Sequence, residues 1–232
     1  MTSSYQYSGG DGAYTDEVLQ KCSVNHERQN EPAVEVDPRD PEGKVLIASS
    51  NDYCPVQTSQ FAIWLGYYRS TDGGATWADS LVPGYPGDTS PASTRAFIDA
   101  HDSGDPVIAW DNYGNAYMGS EASGARDGSK KTNGDVWVGR YKNPSEAVGV
   151  PALDGSQFAY SHTVAQGSQA PNLLGKFNDK TAIEVDRTGG PCDGRVYFAW
   201  SRFNGNGNNG IFFTYSADQA PDLVEPEQDH QP

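Results

Sequence analysis

The 232-residue chain is short of positive charge: 16 Lys+Arg stand against 31 Asp+Glu, a formal net charge of −15. That sign excludes nucleic acid and an anionic membrane surface as partners, because both would be repelled. No run of 18 apolar residues is present, so membrane insertion through a helix is excluded as well. Helical periodicity is nearly missing. Only Thr15 to Lys21 has the pattern for a turn or two, too short to stand alone. The segment Met1 to Tyr7 has neither a basic nor an apolar stretch, so no signal peptide is visible.

Cysteine is scarce, with three in all. Cys22 and Cys54 flank the first predicted strand pair and could close a 33-residue segment. Such a disulfide would contribute roughly 3 kcal/mol through loop closure and leave Cys192 over. Three unpaired thiols are the alternative. Pairing favours an extracellular or cell-surface setting, and unpaired thiols a cytosolic one.

What the chain does have is turns and rings. It carries 26 Gly and 15 Pro, with 5 Trp, 13 Tyr and 8 Phe. Aromatics in that number separate it from disordered acidic chains. The length suits one large domain or two small ones.

The informative signal is a repeat. Glu31–Asp37, Asp105–Asp111 and Lys180–Asp186 each alternate, carry β-branched residues and end in a polar turn. Their starts lie 74 and 75 residues apart. A second strand follows each turn at Lys44–Ser50, Asn115–Ser120 and Arg195–Ser201, and a third at Ile63–Arg69, Asp135–Arg140 and Ile211–Tyr215. Room remains for a fourth before the next repeat begins. The expected fold class is therefore all-β, a propeller of about three four-stranded blades, and hence a partial one. A sandwich also has many short strands, but it does not repeat three of them at one spacing.

Directly after the first repeat's third strand comes Ser70-Thr71-Asp72-Gly73-Gly74-Ala75-Thr76-Trp77. Asp72 can accept backbone N–H groups of its own turn, the glycines permit positive φ, and Trp77 can pack the hairpin. This pattern resembles the Asp-box of bacterial neuraminidase repeats. Ser70, Asp72, Gly74, Thr76 and Trp77 match it in full, and Ser216 and Asp218 match it in part, 146 residues further on. The blade openings around Asn30–Pro38 and Asp179–Arg187 are similar to those of proteins classed as sialidase-like or BNR-repeat glycosyl hydrolases. The likeness spans residues 29 to 218, in repeats near 29–103, 104–178 and 179–218. Residues 1–28 read as an N-terminal extension. The acidic, Pro-rich stretch 219–232 reads as disordered.

In such propellers, the resemblance implies, the inner strand of each blade starts at the ligand face and the Asp-box lies on the opposite one. Asp72 and Trp77 are then structural. The ligand face would collect Glu31, Asp105, Asp179 and Lys180 from inner-strand starts, and Glu121, Arg126, Arg202 and Asn204 from loops between second and third strands. Arg95 would come from the connection between repeats. Asp105 and Asp179 are the candidates for a catalytic carboxyl role, because glycoside hydrolysis needs carboxyl groups at a suitable separation. Sialidases instead combine a Tyr nucleophile, a Glu base, an Asp acid and three Arg residues. The Phe/Tyr-Arg-Ile-Pro motif that opens this Arg set is missing here, and the local sequences of Arg95, Arg126 and Arg202 match no such motif.

Metal and cofactor signals are weak. Asp99, Asp102 and Asp105 are hard oxygen donors that could hold Ca²⁺, but without EF-hand spacing the blander reading is a polar turn. The four His show no zinc spacing, and no cofactor is expected. Two readings follow. The first is a non-catalytic platform binding a glycan or a protein at the channel mouth. The second is the N-terminal part of a secreted, exo-sialidase-like glycoside hydrolase. Six blades close a sialidase ring, so a homodimer or a missing remainder of the propeller would complete this one.

Overall fold

The computed structural model describes residues 4–25, 27–54, 63–124, 134–145, 150–168, 175–205 and 207–216. It opens with one helix, α1 (Glu17–Val24), which runs three residues past the predicted turn. Asp16 caps it by accepting the Leu19 N–H at 2.9 Å, and its buried face presents Val18, Leu19 and Cys22. Cys22 is disulfide-bonded to Cys54, which ties the helix to the first sheet, and Cys192 is free.

The three repeats are three small sheets. The first holds β1 (Gln29–Val36), β2 (Leu46–Asp52), β3 (Trp64–Ser70) and β4 (Ala78–Leu81), in that order and antiparallel. Next in the chain, β5 (Ala96–Phe97) lies parallel on the outer edge of the second sheet. That sheet runs β6 (Asp102–Trp110), β7 (Ala116–Ser123), β8 (Asp135–Lys142) and β9 (Gln157–Ala165). The third has β10 (Lys176–Val185), β11 (Val196–Asn204) and β12 (Gly210–Tyr215). Two blades have four strands, and three are described for the third. Among the described residues no helix is long and apolar enough to cross a membrane.

Strand alternation makes each blade two-faced, and the two faces build two separate cores. Ile108, Trp110 and Met118 turn towards the first blade, joining Ile47, Leu65, Tyr67 and the helix residues Val18 and Leu19. Their neighbours Ala109 and Tyr117 turn the other way, onto Val185, Val196, Phe198 and Trp200 of the third blade. Trp64, Trp110, Trp137 and Trp200 are all fully buried. Each indole N–H finds an acceptor: Val82 O, Glu35 O, Ser103 Oγ and Asn178 Oδ1 respectively. Removing one such ring costs about 3–5 kcal/mol in a packed core. The stacking of blades leaves β1, β6 and β10 side by side. Ala33, Val34, Glu35, Val107, Ile108, Thr181, Ala182 and Ile183 line a shared open groove of about 340 Å³. This is the channel side of a partial propeller.

Candidate functional site

Each inner strand is broken near its start by the same irregularity. Register shifts fall between Asn30 and Ala33, Gly104 and Val107, and Asp179 and Thr181. At each shift one residue is left-handed: Glu31 (φ 52°), Asp105 (φ 55°) and Lys180 (φ 52°). They are the only described non-glycine residues with positive φ. For a side chain with a Cβ this conformation costs on the order of 1–2 kcal/mol. Pro32 and Pro106 follow two of them, and a bulge suits a residue that has no N–H to give the ladder.

The three bulges bring their side chains together. Lys180 Nζ donates to Asp105 Oδ2 at 2.8 Å and stands 3.9 Å from Glu31. Asn51, from β2, brackets Asp105: its Oδ1 accepts the Asp105 N–H at 2.7 Å while its Nδ2 reaches Asp105 Oδ1 at 3.4 Å. On the other side, carboxylate oxygens of Asp105, Glu121 and Asp179 lie within 4.8 Å of one another. Asp179 also accepts the Lys180 backbone N–H at 2.6 Å.

This crowding sets the protonation. Burial first, then a hydrogen bond with Asp179 and the charges of Asp179 and Asp105, push Glu121 up to about 8. Burial works against the charge on Asp105 too, but hydrogen bonds from Glu31, Lys180 and Asn51 outweigh it and hold Asp105 below the ordinary carboxylate range. The hydrogen bond with Asp105 pushes Glu31 up. Near neutral pH the group therefore holds an ionised Asp105, a protonated Glu121 and a charged Lys180. Three converging carboxylate oxygens are the donor type for a hard cation. Here Lys180 already supplies a positive charge at Asp105 and Glu121 a proton beside it.

Of the residues expected at the ligand face, Glu31, Asp105, Glu121, Asp179 and Lys180 meet. Asn51 joins them from β2 of the first blade, with no local signal to announce it. Arg95 stands elsewhere: it pairs with Asp11 at 2.8 Å and donates to Phe158 O, on the outer side of the second blade. Arg202 is buried against Trp200 and Phe212. Asn204 donates to Asn208 O and its N–H meets Asn209 Oδ1, closing the β11–β12 turn. Arg126 and Asp218 lie outside the described residues. Asp102 accepts the Ile63 N–H and faces His101, so neither it nor Asp99 joins the converging carboxylates around Asp105.

At the other end of the first blade, the Ser70–Trp77 turn is closed by its own side chains. Asp72 accepts the Thr76 N–H at 2.8 Å and the Thr76 hydroxyl at 2.6 Å, and Ser70 Oγ donates to it at 2.8 Å. Gly74 donates to Ser70 Oγ at 2.9 Å, and Trp77 Nε1 to Gly74 O at 3.1 Å. Gly73 and Gly74 have φ of 74° and 84°, which a side chain would strain. In the third blade, Ser216 pairs with β11 instead, with its N–H on Val196 O and its hydroxyl accepting the Val196 N–H.

No protein-family model and no curated protein sequence matches the chain. Solved structures do. The Hadza microbial sialidase Hz136 superposes with a TM-score of 0.53 at 15% identity, over 86% of this chain and 38% of its own. The sialidase of Trypanosoma rangeli (TM-score 0.48, 12% identity, 84% and 30%) and the α-L-arabinanase of Penicillium chrysogenum (0.49, 16%, 85% and 49%) also match. At these identities the likeness is one of fold. The chain is a partial β-propeller similar in fold to the Hz136 sialidase, and it spans less than half the length of these three proteins.

Proposed function

We propose that the chain is the glycan-binding part of a sialidase-like propeller, and that it is a platform rather than a hydrolase as it stands. The observation that carries this is the convergence of Asp105, Glu121 and Asp179 within 4.8 Å. Carboxyl groups that close share protons. The Phe/Tyr-Arg-Ile-Pro motif that opens a sialidase's Arg set is missing from the sequence, which supports binding over cleavage. The ionised Asp105 and its neighbours suit another task, accepting hydrogen bonds from sugar hydroxyls while Lys180 and the protonated Glu121 donate. The half-exposed Phe203, packed on Phe177, offers a ring face next along the same ladder. The disulfide suits an oxidising compartment, hence a secreted or surface-bound protein. The Ser70–Trp77 turn serves as an Asp-box strap that holds its hairpin.

One observation favours hydrolysis instead. Glu121 is kept protonated and Asp105 ionised, the split that acid and base roles require. The experiment is an oligosaccharide binding screen with the wild type and Asp105→Ala, followed by incubation of every bound glycan. Binding that Asp105→Ala weakens about tenfold or more, with no cleavage, is the expected outcome. Released sugar would move the assignment to glycoside hydrolase, and no saturable binding at all would end the platform reading.

A further inference from the structure

The three bulges give the blades one common register. Asn30, Gly104 and Asp179 each precede a left-handed residue, and they pair with Asn51, Glu121 and Ser201. Across the next ladder those three stand opposite Leu65, Val136 and Ile211. Two residues further along the third strands come Tyr67, Val138 and Phe213, on the same face. Leu65 and Tyr67 are buried at the junction with the second blade, where Tyr67 stacks on Tyr141 at 4.0 Å. Val136 and Val138 are buried at the junction with the third, where Gly119 leaves room for the Phe198 ring. At the same positions of the third blade, Ile211 is 75% exposed and Phe213 51%. The half-exposed Tyr215 extends this patch, and Tyr197 stacks on Phe213 at 6.0 Å.

The first blade carries the other half of such a junction. Counted from the left-handed residues, Val34 and Val36 match Ile108 and Trp110 of the second blade, and Ile183 and Val185 of the third. Ile108 and Trp110 pack towards the first blade, and Ile183 and Val185 towards the second. Val34 and Val36 are 56% and 45% exposed, with their ladder partners Ala48 and Leu46 half-buried beside them. Glu184, opposite Tyr197, is paired with Arg187 at 3.4 Å. Two copies of a chain with a net charge of −15 can therefore meet at these apolar faces without setting acid against acid.

We propose that the exposed face of the third blade seats the first blade of a second copy of this chain, Ile211 and Phe213 of one packing on Val34 and Val36 of the other. The contact joins two different faces. It closes a pair when it is made at both ends at once and grows an open series otherwise. In the closed pair β1 of each copy lies beside β10 of the other, as β1 and β6 lie side by side within the chain. The Glu31 bulge of one copy then borders the Asp179–Lys180 bulge of the other, and carboxylates from both surround a shared channel mouth.

The test is light scattering on a sizing column with the full chain, over a range of concentrations. Wild type should have twice the chain mass or, where the series stays open, form larger species that grow with concentration. Phe213 and Val36 are exposed, so Phe213→Lys and Val36→Glu should keep the melting temperature while each weakens association about tenfold or more. An equimolar mixture of the two variants retains one unaltered junction and brings opposite charges to the other, so it should recover a mass that neither variant shows alone. A single-chain mass for wild type at every concentration overturns the proposal and gives the face to a different occupant. Association lost in Phe213→Lys but intact in Val36→Glu also overturns it, because the third blade would then be pairing with itself.

Discussion

The two ends of each blade use the same residue types for opposite purposes. At the turn end, aspartates face backbone N–H groups. Asp37, Asp111 and Asp186, at matching places in the three repeats, accept from Arg39, Tyr113 and Thr188 respectively. Asp72 is held down at about 2, chiefly by the Thr76 hydroxyl and N–H. At the channel end, carboxyl groups face one another, and Glu121 is pushed up to about 8. A carboxylate surrounded by donors stabilises the fold, whereas one surrounded by acids is retained at a cost. The partner decides this, not the location. Asp37 sits at the turn end, yet burial and the fully buried Asp154 of the next blade push it up to about 7.

The sharpest way to test the contrast is to remove one carboxylate from each end. Asp111 is fully buried and receives four hydrogen bonds, from the N–H groups of Tyr113 and Asn115, the Asn115 amide and the Tyr117 hydroxyl. Asp111→Ala strands those donors, so we expect a loss of at least about 3 kcal/mol in denaturant unfolding. Asp105→Ala should cost far less, because it also relieves the crowding around Glu121. Equal losses at the two positions would break the comparison.

The second test is pH. Glu121 has a folded value raised from an ordinary 4.5 to about 8. Its stabilisation is complete below the unfolded value and is lost as pH rises towards the folded one. Unfolding free energy should therefore fall between about pH 4.5 and 8, by no more than about 2 kcal/mol once solvent screening is allowed for. Glu121→Gln should flatten that slope. Asp37 acts with the same sign towards about pH 7, so the profile is cleanest in an Asp37→Asn background. A slope unchanged by Glu121→Gln would remove the shared-proton picture of the channel end.

Much of this was legible in the residues. The 74- and 75-residue spacings put Glu31, Asp105 and the Asp179–Lys180 pair at one place in three blades, and that is where the bulges stand. The strand pattern pointed to the blades because strands such as β11, buried on one face, leave a period-two trace. What stayed hidden depends on packing between blades. Asn51 reaches Asp105 across 54 residues, and Asp154 meets Asp37 from another sheet, with nothing local in either sequence to mark it. Arg202 was expected in a loop at the ligand face, but it lies in β11 and is buried, because alternation does not say which face of β11 the end residue takes. Arg95 was expected at the ligand face, but its pairing with Asp11 depends on the path of the N-terminal segment, which no repeat constrains.

The smallest expected effect is the most discriminating for the turn end. Asp72 is exposed, so its loss removes no buried contact, yet it organises Ser70, Thr76 and the route of the chain into β4. Asp72→Ala should lower the melting temperature by less than Asp111→Ala does, and Asp72→Asn by less again, since an amide oxygen still accepts the Thr76 N–H. The acid side carries the argument. A group held at about 2 contributes stability that is present above its unfolded value of 3.8 and is lost as pH falls through the folded one. Wild type and Asp72→Asn should therefore differ at pH 6 and converge near pH 2, whereas Glu121→Gln differs from wild type most at high pH. Opposite pH signatures from carboxylates at the two ends would establish that hydrogen-bond donors govern one and shared protons the other. Parallel signatures would mean that general surface charge, not local partners, controls both.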